Sequence, residues 1–179
     1  PLMLDTNCPW TLLEAKEMVL ALREYNLYWL EEPLSPPEDF SGLSYLKNET
    51  GVRIASGEHA CTAFQFRDML QKGAIDFAQP SVTKVGGITE FRKVINLCES
   101  CGVQVMPHSP YFGPGFLATL HLSQVSNTPG FVERFFVKPE ANLYPEEILN
   151  PMEGNFSVPR GPGLGFDPDM DVVKTYLTN

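Results

Sequence analysis

Six polar side chains recur along this 179-residue chain at gaps of 23 to 27 residues: Asp5, Glu31, Glu58, Ser81, His108 and Glu133. Each follows an apolar run short enough to be one buried strand, over 2–4, 28–30, 52–55, 75–79, 103–106 and 130–132. The sharpest case is Tyr28-Trp29-Leu30-Glu31-Glu32-Pro33, where an aromatic, apolar run ends in two carboxylates and a proline that forbids a central strand from continuing. Carboxylates at the end of a buried strand are costly unless something positive meets them. Asp5, Glu31 and Glu58 on neighbouring strands cannot all stay ionised without a counterion. A divalent cation meets that need, and a donor set of oxygens alone favours Mg²⁺ over Zn²⁺. Each residue by itself has a plainer role: Asp5 as a turn cap, Glu58 as a loop acid, His108 as a packed histidine. The shared period is what favours a site.

The elements between these residues are helical. Thr11 caps a pattern running to about 24, and further helices are expected over 40–48, 63–72 and 89–98, with another from the 113–115 Gly/Pro loop to about 126. Strands alternating with helices mean parallel βαβ units with right-handed crossovers. Two α/β architectures use them. A doubly wound sheet collects its site at one switch point, whereas a (β/α) TIM-like barrel presents site residues at the carboxyl end of strand after strand. The six-fold series favours the barrel. Residues 1–140 are expected to form a partial (β/α) barrel catalytic domain. Residues 141–179, rich in Pro and Gly, are expected to be a return segment packing on the barrel or on a missing cap.

Composition narrows the function classes. A hydrophobic fraction of 43% and a charged fraction of 20% belong to a globular domain large enough for a sizeable core. A net charge of -9 argues against nucleic acid and anionic membrane as partners. No leader peptide and no membrane-spanning run is present, so a cytoplasmic location is expected. The four cysteines are too scattered for a disulfide framework, and Cys98-Glu-Ser-Cys101 is expected to serve helix packing rather than redox chemistry. The chain opens Pro-Leu-Met-Leu-Asp inside a strand with no initiator Met, and is expected to be a fragment of a longer protein.

Leu4-Asp-Thr-Asn7, Trp29-Leu-Glu-Glu-Pro33, Ser56-Gly-Glu-His59, the 79–89 run Gln-Pro-Ser-Val-Thr-Lys-Val-Gly-Gly-Ile-Thr, Pro107-His-Ser109 and Val132-Glu-Arg134 together resemble the enolase superfamily. More narrowly, they resemble its mandelate racemase and muconate lactonizing branch, which includes acid-sugar dehydratases. The resemblance covers nearly the whole chain. It implies Mg²⁺ held by Asp5, Glu31 and Glu58, His108 as general acid or base, and Glu133 meeting the substrate carboxylate and the enediolate. It places Asn7 at a substrate contact, and His59, next to a ligand, is a further candidate for substrate binding. Lys84, His121, Tyr111 and Phe112 are read as a local ion-pair former, a packing residue and two pocket walls.

Two departures from the family pattern matter. The Lys-x-Lys strand and the capping domain, both upstream of the third barrel strand, are not in this sequence, so strands three to eight are expected. Ser81 stands where the family has the Asp partner of the histidine, so His108 is expected to titrate at or below roughly 6.5 and to be neutral at pH 7. The reaction implied is abstraction of an α-proton from a hydroxylated carboxylate. Dehydration of a sugar acid is favoured; racemisation or epimerisation, and an inactive partial chain, are the alternatives. A small-molecule acid is the expected partner, in a homo-oligomer at full length.

Overall fold

The computed structural model describes residues 1–127 and 130–178. Five strands form one parallel sheet: β1 (Met3–Asp5), β2 (Trp29–Glu31), β3 (Ile54–Ser56), β4 (Phe77–Ala78) and β5 (Gln104–Val105). Their order in space is their order in sequence, β1-β2-β3-β4-β5. That order separates the two candidate architectures, because a doubly wound sheet reverses its strand order at the switch point. Helices α1 (Leu12–Ala21), α2 (Phe40–Thr50), α3 (Ala63–Gln71), α4 (Ile88–Ser100) and α5 (Pro114–Ser123) follow the strands in turn.

Local chemistry sets the helix starts. The Thr11 hydroxyl accepts from the Glu14 amide while the Glu14 carboxylate accepts from Thr11 N–H at 2.8 Å, a complete capping box for α1. Asp39 and Thr62 cap α2 and α3 in the same way. The first helix is shorter than its pattern suggests: α1 ends at Ala21 and a single 3₁₀ turn, Arg23–Tyr25, carries the chain on.

Side-chain alternation along the strands divides the interior in two. Leu30, Ile54, Ala78 and Val105 face the helices and pack with Ala15, Leu43, Leu46, Phe66, Met69, Phe91 and Ile95. Trp29, Ala55, Phe77 and Met106 face the other way and pack together, with Met3 and Tyr28 at their edge. The ladder fixes this division: Leu30 pairs with Ile54, Ala55 with Phe77, and Ala78 with Val105. Adding two residues to Met3, Trp29 and Phe77 gives Asp5, Glu31 and Gln79 on the second face.

Two expectations about elements are corrected. Residues 130–132 form no strand; the segment instead lies against the end of β5, with Phe131 N–H on the Met106 sulfur at 3.1 Å. A Cβ on Gly130 would stand 2.5 Å from the Val105 carbonyl oxygen, so the backbones approach too closely here for any other residue. The segment after 140 also does more than return. It forms α6 (Glu146–Leu149) and α7 (Met170–Tyr176), and buries Tyr144, Ile148 and Leu149 against Phe116, Leu117 and Leu120 of α5.

Candidate active site

The carboxyl ends of the strands bring Glu31, Glu58 and His108 together, with one ligating atom from each lying within 4.8 Å of the others. All three are buried. Glu31 follows from strand alternation, but Glu58 does not. Counting by twos from Ala55 places Gly57, not Glu58, on the inner face. Gly57 resolves this with a φ of +133°, which turns the chain so that Glu58 reaches His108. A side chain on Gly57 would also stand 2.5 Å from the Phe66 ring.

His108 Nδ1 lies 2.9 Å from Glu58 Oε2 and 3.2 Å from Glu133 Oε2. These are ion-pair distances without hydrogen-bond alignment, and Nδ1 has no hydrogen-bond partner. Burial by itself lowers the His108 pKa, but the two carboxylates outweigh it and raise it to about 9. The expectation of a neutral His108 is therefore overturned, because Glu58 and Glu133 supply the negative charge that the missing Asp would have given. On Glu58 the desolvation penalty is likewise outweighed by His108, His59 and Lys84, and its carboxyl titrates below the usual range.

Glu31 is the opposite case. Burial, reinforced by Asp5 and Glu133, raises its carboxyl to about 7, although Gln79 and Trp29 hydrogen-bond to it. Trp29 Nε1–H donates to Glu31 Oε2 at 2.9 Å, two residues away on the same face of β2. Gln79 is itself buried and its Oε1 has no partner. Asp5 stands at the edge. Its side chain accepts from Asn7 N–H at 3.0 Å, and burial followed by repulsion from Glu58 and Glu133 raises its pKa. Asp5 is in neither of the two ligand groupings found among the described residues.

Ser81 does not meet the imidazole. Its hydroxyl lies 2.7 Å from Tyr111 Oη and 3.0 Å from Thr83 Oγ1, and Tyr111 Oη donates to the His108 carbonyl at 2.6 Å. Since a phenol has one proton, Ser81 donates to Tyr111 and Thr83 donates to Ser81, a one-way chain ending on the His108 backbone. Tyr111 is thus a support as well as a wall. Phe112 lies under the Arg134 guanidinium at 4.1 Å, Lys84 Nζ is 3.9 Å from Glu58 Oε1, and His121 Nε2 is 3.3 Å from the Leu164 carbonyl. Glu133 is held by the Ser109 amide on Oε2 at 2.9 Å.

His59 Nε2 is 3.3 Å from Glu58 Oε1, and His59 also belongs to a second grouping with Cys8 and Glu32. Glu32 points away from Glu31, as alternation requires, and Oε1 accepts from Ser56 Oγ at 2.9 Å and Gly57 N–H at 2.7 Å. Burial, with Glu32 beside it, pushes the Cys8 thiol up to about 12, so it is a weak nucleophile. Sequence reasoning passed over Trp29, Gln79, Ser109, Cys8 and Glu32. Trp29 and Gln79 were open to discovery by counting in twos from Glu31 and Phe77.

The family model described as enolase C-terminal domain-like matches residues 1–172. The L-rhamnonate dehydratase of Saccharopolyspora erythraea is 32% identical over 174 residues, covering 90% of this chain and 43% of that protein. Among solved structures, the 3,6-anhydro-D-galactonate cycloisomerase of Zobellia galactanivorans aligns with a TM-score of 0.87 at 29% identity, over 99% of this chain and 50% of that one. The L-talarate dehydratase of Polaromonas sp. JS666, complexed with Mg and L-glucarate, aligns with a TM-score of 0.81 at 30% identity, over 100% and 47% of the two chains. The chain thus spans about half the length of the proteins it matches. With sequential parallel strands whose carboxyl ends gather two glutamates and a histidine, and a family match over nearly its whole length, the chain belongs to the enolase C-terminal domain-like family.

Proposed function

We propose that this chain carries the acid–base half of a Mg²⁺-dependent dehydratase acting on a hydroxylated sugar acid. The observation that supports it most is a pair of unpartnered atoms. Among the described residues the buried side-chain atoms lacking a hydrogen bond are His108 Nδ1 and Gln79 Oε1, a donor and an acceptor. Both belong to the cluster around Glu31 and Glu58. Buried polar atoms are rarely left unsatisfied, and a donor beside an acceptor suits a ligand bearing hydroxyl and carboxylate groups.

The donor set fits a hard divalent cation. Glu31 and Glu58 are buried carboxylates, and Glu31 keeps a pKa of about 7 because no positive charge compensates its burial. Glu31 and Glu58 would hold Mg²⁺, with Asp5 completing the set, as all-oxygen ligation prefers. The cation supplies a counter-charge for the enediolate formed when the α-proton leaves. Glu133, fixed by Ser109, orients the substrate carboxylate. His108 enters this reaction as the imidazolium, and its Nδ1 proton goes to the departing β-hydroxyl, which leaves as water. The charge state makes His108 an acid first, where the sequence suggested a base. Trp29 and Gln79 keep the Glu31 carboxylate in one orientation, and the Tyr111–Ser81–Thr83 chain fixes the His108 backbone.

Incubation of the full-length enzyme with a panel of sugar acids in deuterated water tests the reading. Dehydration releases a 2-keto-3-deoxy acid, and His108→Asn should lower its rate by about 10²-fold or more, the usual contribution of a positioned acid. Inverted substrate carrying solvent deuterium, with no keto acid, would place the enzyme with the racemases instead.

A further inference from the structure

Cys8, Glu32 and His59 follow three successive strands and place one ligating atom each within 4.8 Å of the others. Cys8 lies on the loop after β1, Glu32 directly after β2, and His59 after β3. Strand alternation sends Glu32 to the face opposite Glu31, so no side chain of this grouping is shared with the Glu31–Glu58–His108 cluster.

The types and spacing are those of a soft-to-borderline metal. Cys8 Sγ lies 3.6 Å from Glu32 Oε2. Tetrahedral bonds to sulfur and oxygen at the usual zinc lengths put those two ligand atoms about 3.5 Å apart. Glu32 Oε1 is occupied by Ser56 and Gly57, which leaves Oε2 directed at the sulfur. Two backbone bonds fix the approach: Cys8 N–H donates to the Glu32 carbonyl at 2.6 Å, and Thr6 Oγ1 donates to the same oxygen at 3.0 Å. His59 is 37% exposed, so its ring can turn toward the pair from the solvent side. A cavity of about 10 Å³ bordered by Glu32, Gly57, His59 and Gln65 has room for roughly one water as a fourth ligand.

We propose that Cys8, Glu32 and His59 form a Zn²⁺ site on this chain, tying together the loops after β1, β2 and β3. The thiolate excludes Mg²⁺, which prefers oxygen, and selects zinc over the hard cations. Binding displaces the Cys8 thiol proton to solvent and involves no change of oxidation state. It also draws His59 away from Glu58 Oε1, where it now stands at 3.3 Å.

The test is a titration of the full chain with Co²⁺, a coloured substitute for zinc, in saturating Mg²⁺. One equivalent should bind and show the near-ultraviolet absorption of a thiolate–cobalt bond, and Zn²⁺ should displace it. Cys8→Ser should abolish that band, whereas Cys61→Ser and Cys101→Ser, at the exposed cysteines, should keep it. His59→Gln, at a side chain exposed enough not to threaten folding, should weaken Zn²⁺ binding about tenfold or more, at least what loss of a supporting group costs. A band that survives Cys8→Ser, or a bound ion that Mg²⁺ displaces one for one, overturns the proposal. Either failure leaves the dehydratase reading standing, because the two groupings share no ligand.

Discussion

At the residue scale the site is governed by two buried groups whose charge is set by neighbours. Glu31 is raised from 4.5 to about 7 and His108 from 6.5 to about 9. A raised folded-state pKa adds stability below the unfolded value and loses it as pH climbs through the folded one. In chelator, thermal stability should therefore fall from about pH 4.5 to 7 through Glu31, and from about 6.5 to 9 through His108. Glu31 accounts for roughly 3 kcal/mol at most on the linkage relation. Glu31→Gln should flatten the lower part of that profile and His108→Gln the upper part. A melting temperature that rises across the range would contradict both assignments. Mg²⁺ competes with the Glu31 proton, so calorimetry should show affinity rising with pH through about 7, and Glu31→Gln should lose or greatly weaken binding. Cys98 is buried with its thiol pushed up to about 12, while Cys101 is exposed. A thiol-reactive probe should label Cys101 and spare Cys98, as helix packing requires and a redox pair would not.

At the scale of elements, β3 and its exit decide the geometry. Gly57 does three things there: it turns Glu58 inward, offers its N–H to Glu32, and gives the Phe66 ring room. Gly57→Ala meets the ring at 2.5 Å and forces a side chain to φ +133°, at a cost of about 1–3 kcal/mol. Denaturant unfolding should register that loss, and Mg²⁺ affinity should fall with it because Glu58 is displaced. An unchanged affinity would show that Glu58 reaches the cluster without the glycine. Helices were read more easily than strands. Their caps are local, as with Thr11 and Glu14, whereas each strand here has two or three residues and exists only through its partners.

For the whole molecule, the exposed apolar run Phe135–Phe136–Val137 stands out. Phe136 is fully exposed, and Phe131, Phe135 and Val137 are each about half exposed. Contiguous apolar surface of this kind promotes association. The 179-residue chain should therefore self-associate at micromolar concentration, and Phe136→Glu should shift it toward monomer in sedimentation experiments without lowering its melting temperature. Oligomers that persist in the variant would place the contact elsewhere. No helix among the described residues is long and apolar enough to cross a membrane.

What the sequence determined alone was periodic. A gap of 23 to 27 residues is one strand plus one helix, so it placed Asp5, Glu31, Glu58, His108 and Glu133 at strand ends and pointed to sequential parallel strands. Alternation along β2 settled which of Glu31 and Glu32 shares a face with Trp29. The tertiary structure decided who meets whom. Ser81 has the sequence position of a histidine partner, yet it bonds Tyr111 and Thr83, because the turn after Pro80 carries it off the strand line. His108 gains its charge from Glu58 and Glu133, which lie 50 and 25 residues away in the chain. Residues 130–132 look like a strand by composition but pair with none, since pairing depends on a neighbour and not on propensity. Cys8, Glu32 and His59 have no shared period to announce them; only the packing of three loops brings them within reach of one ion.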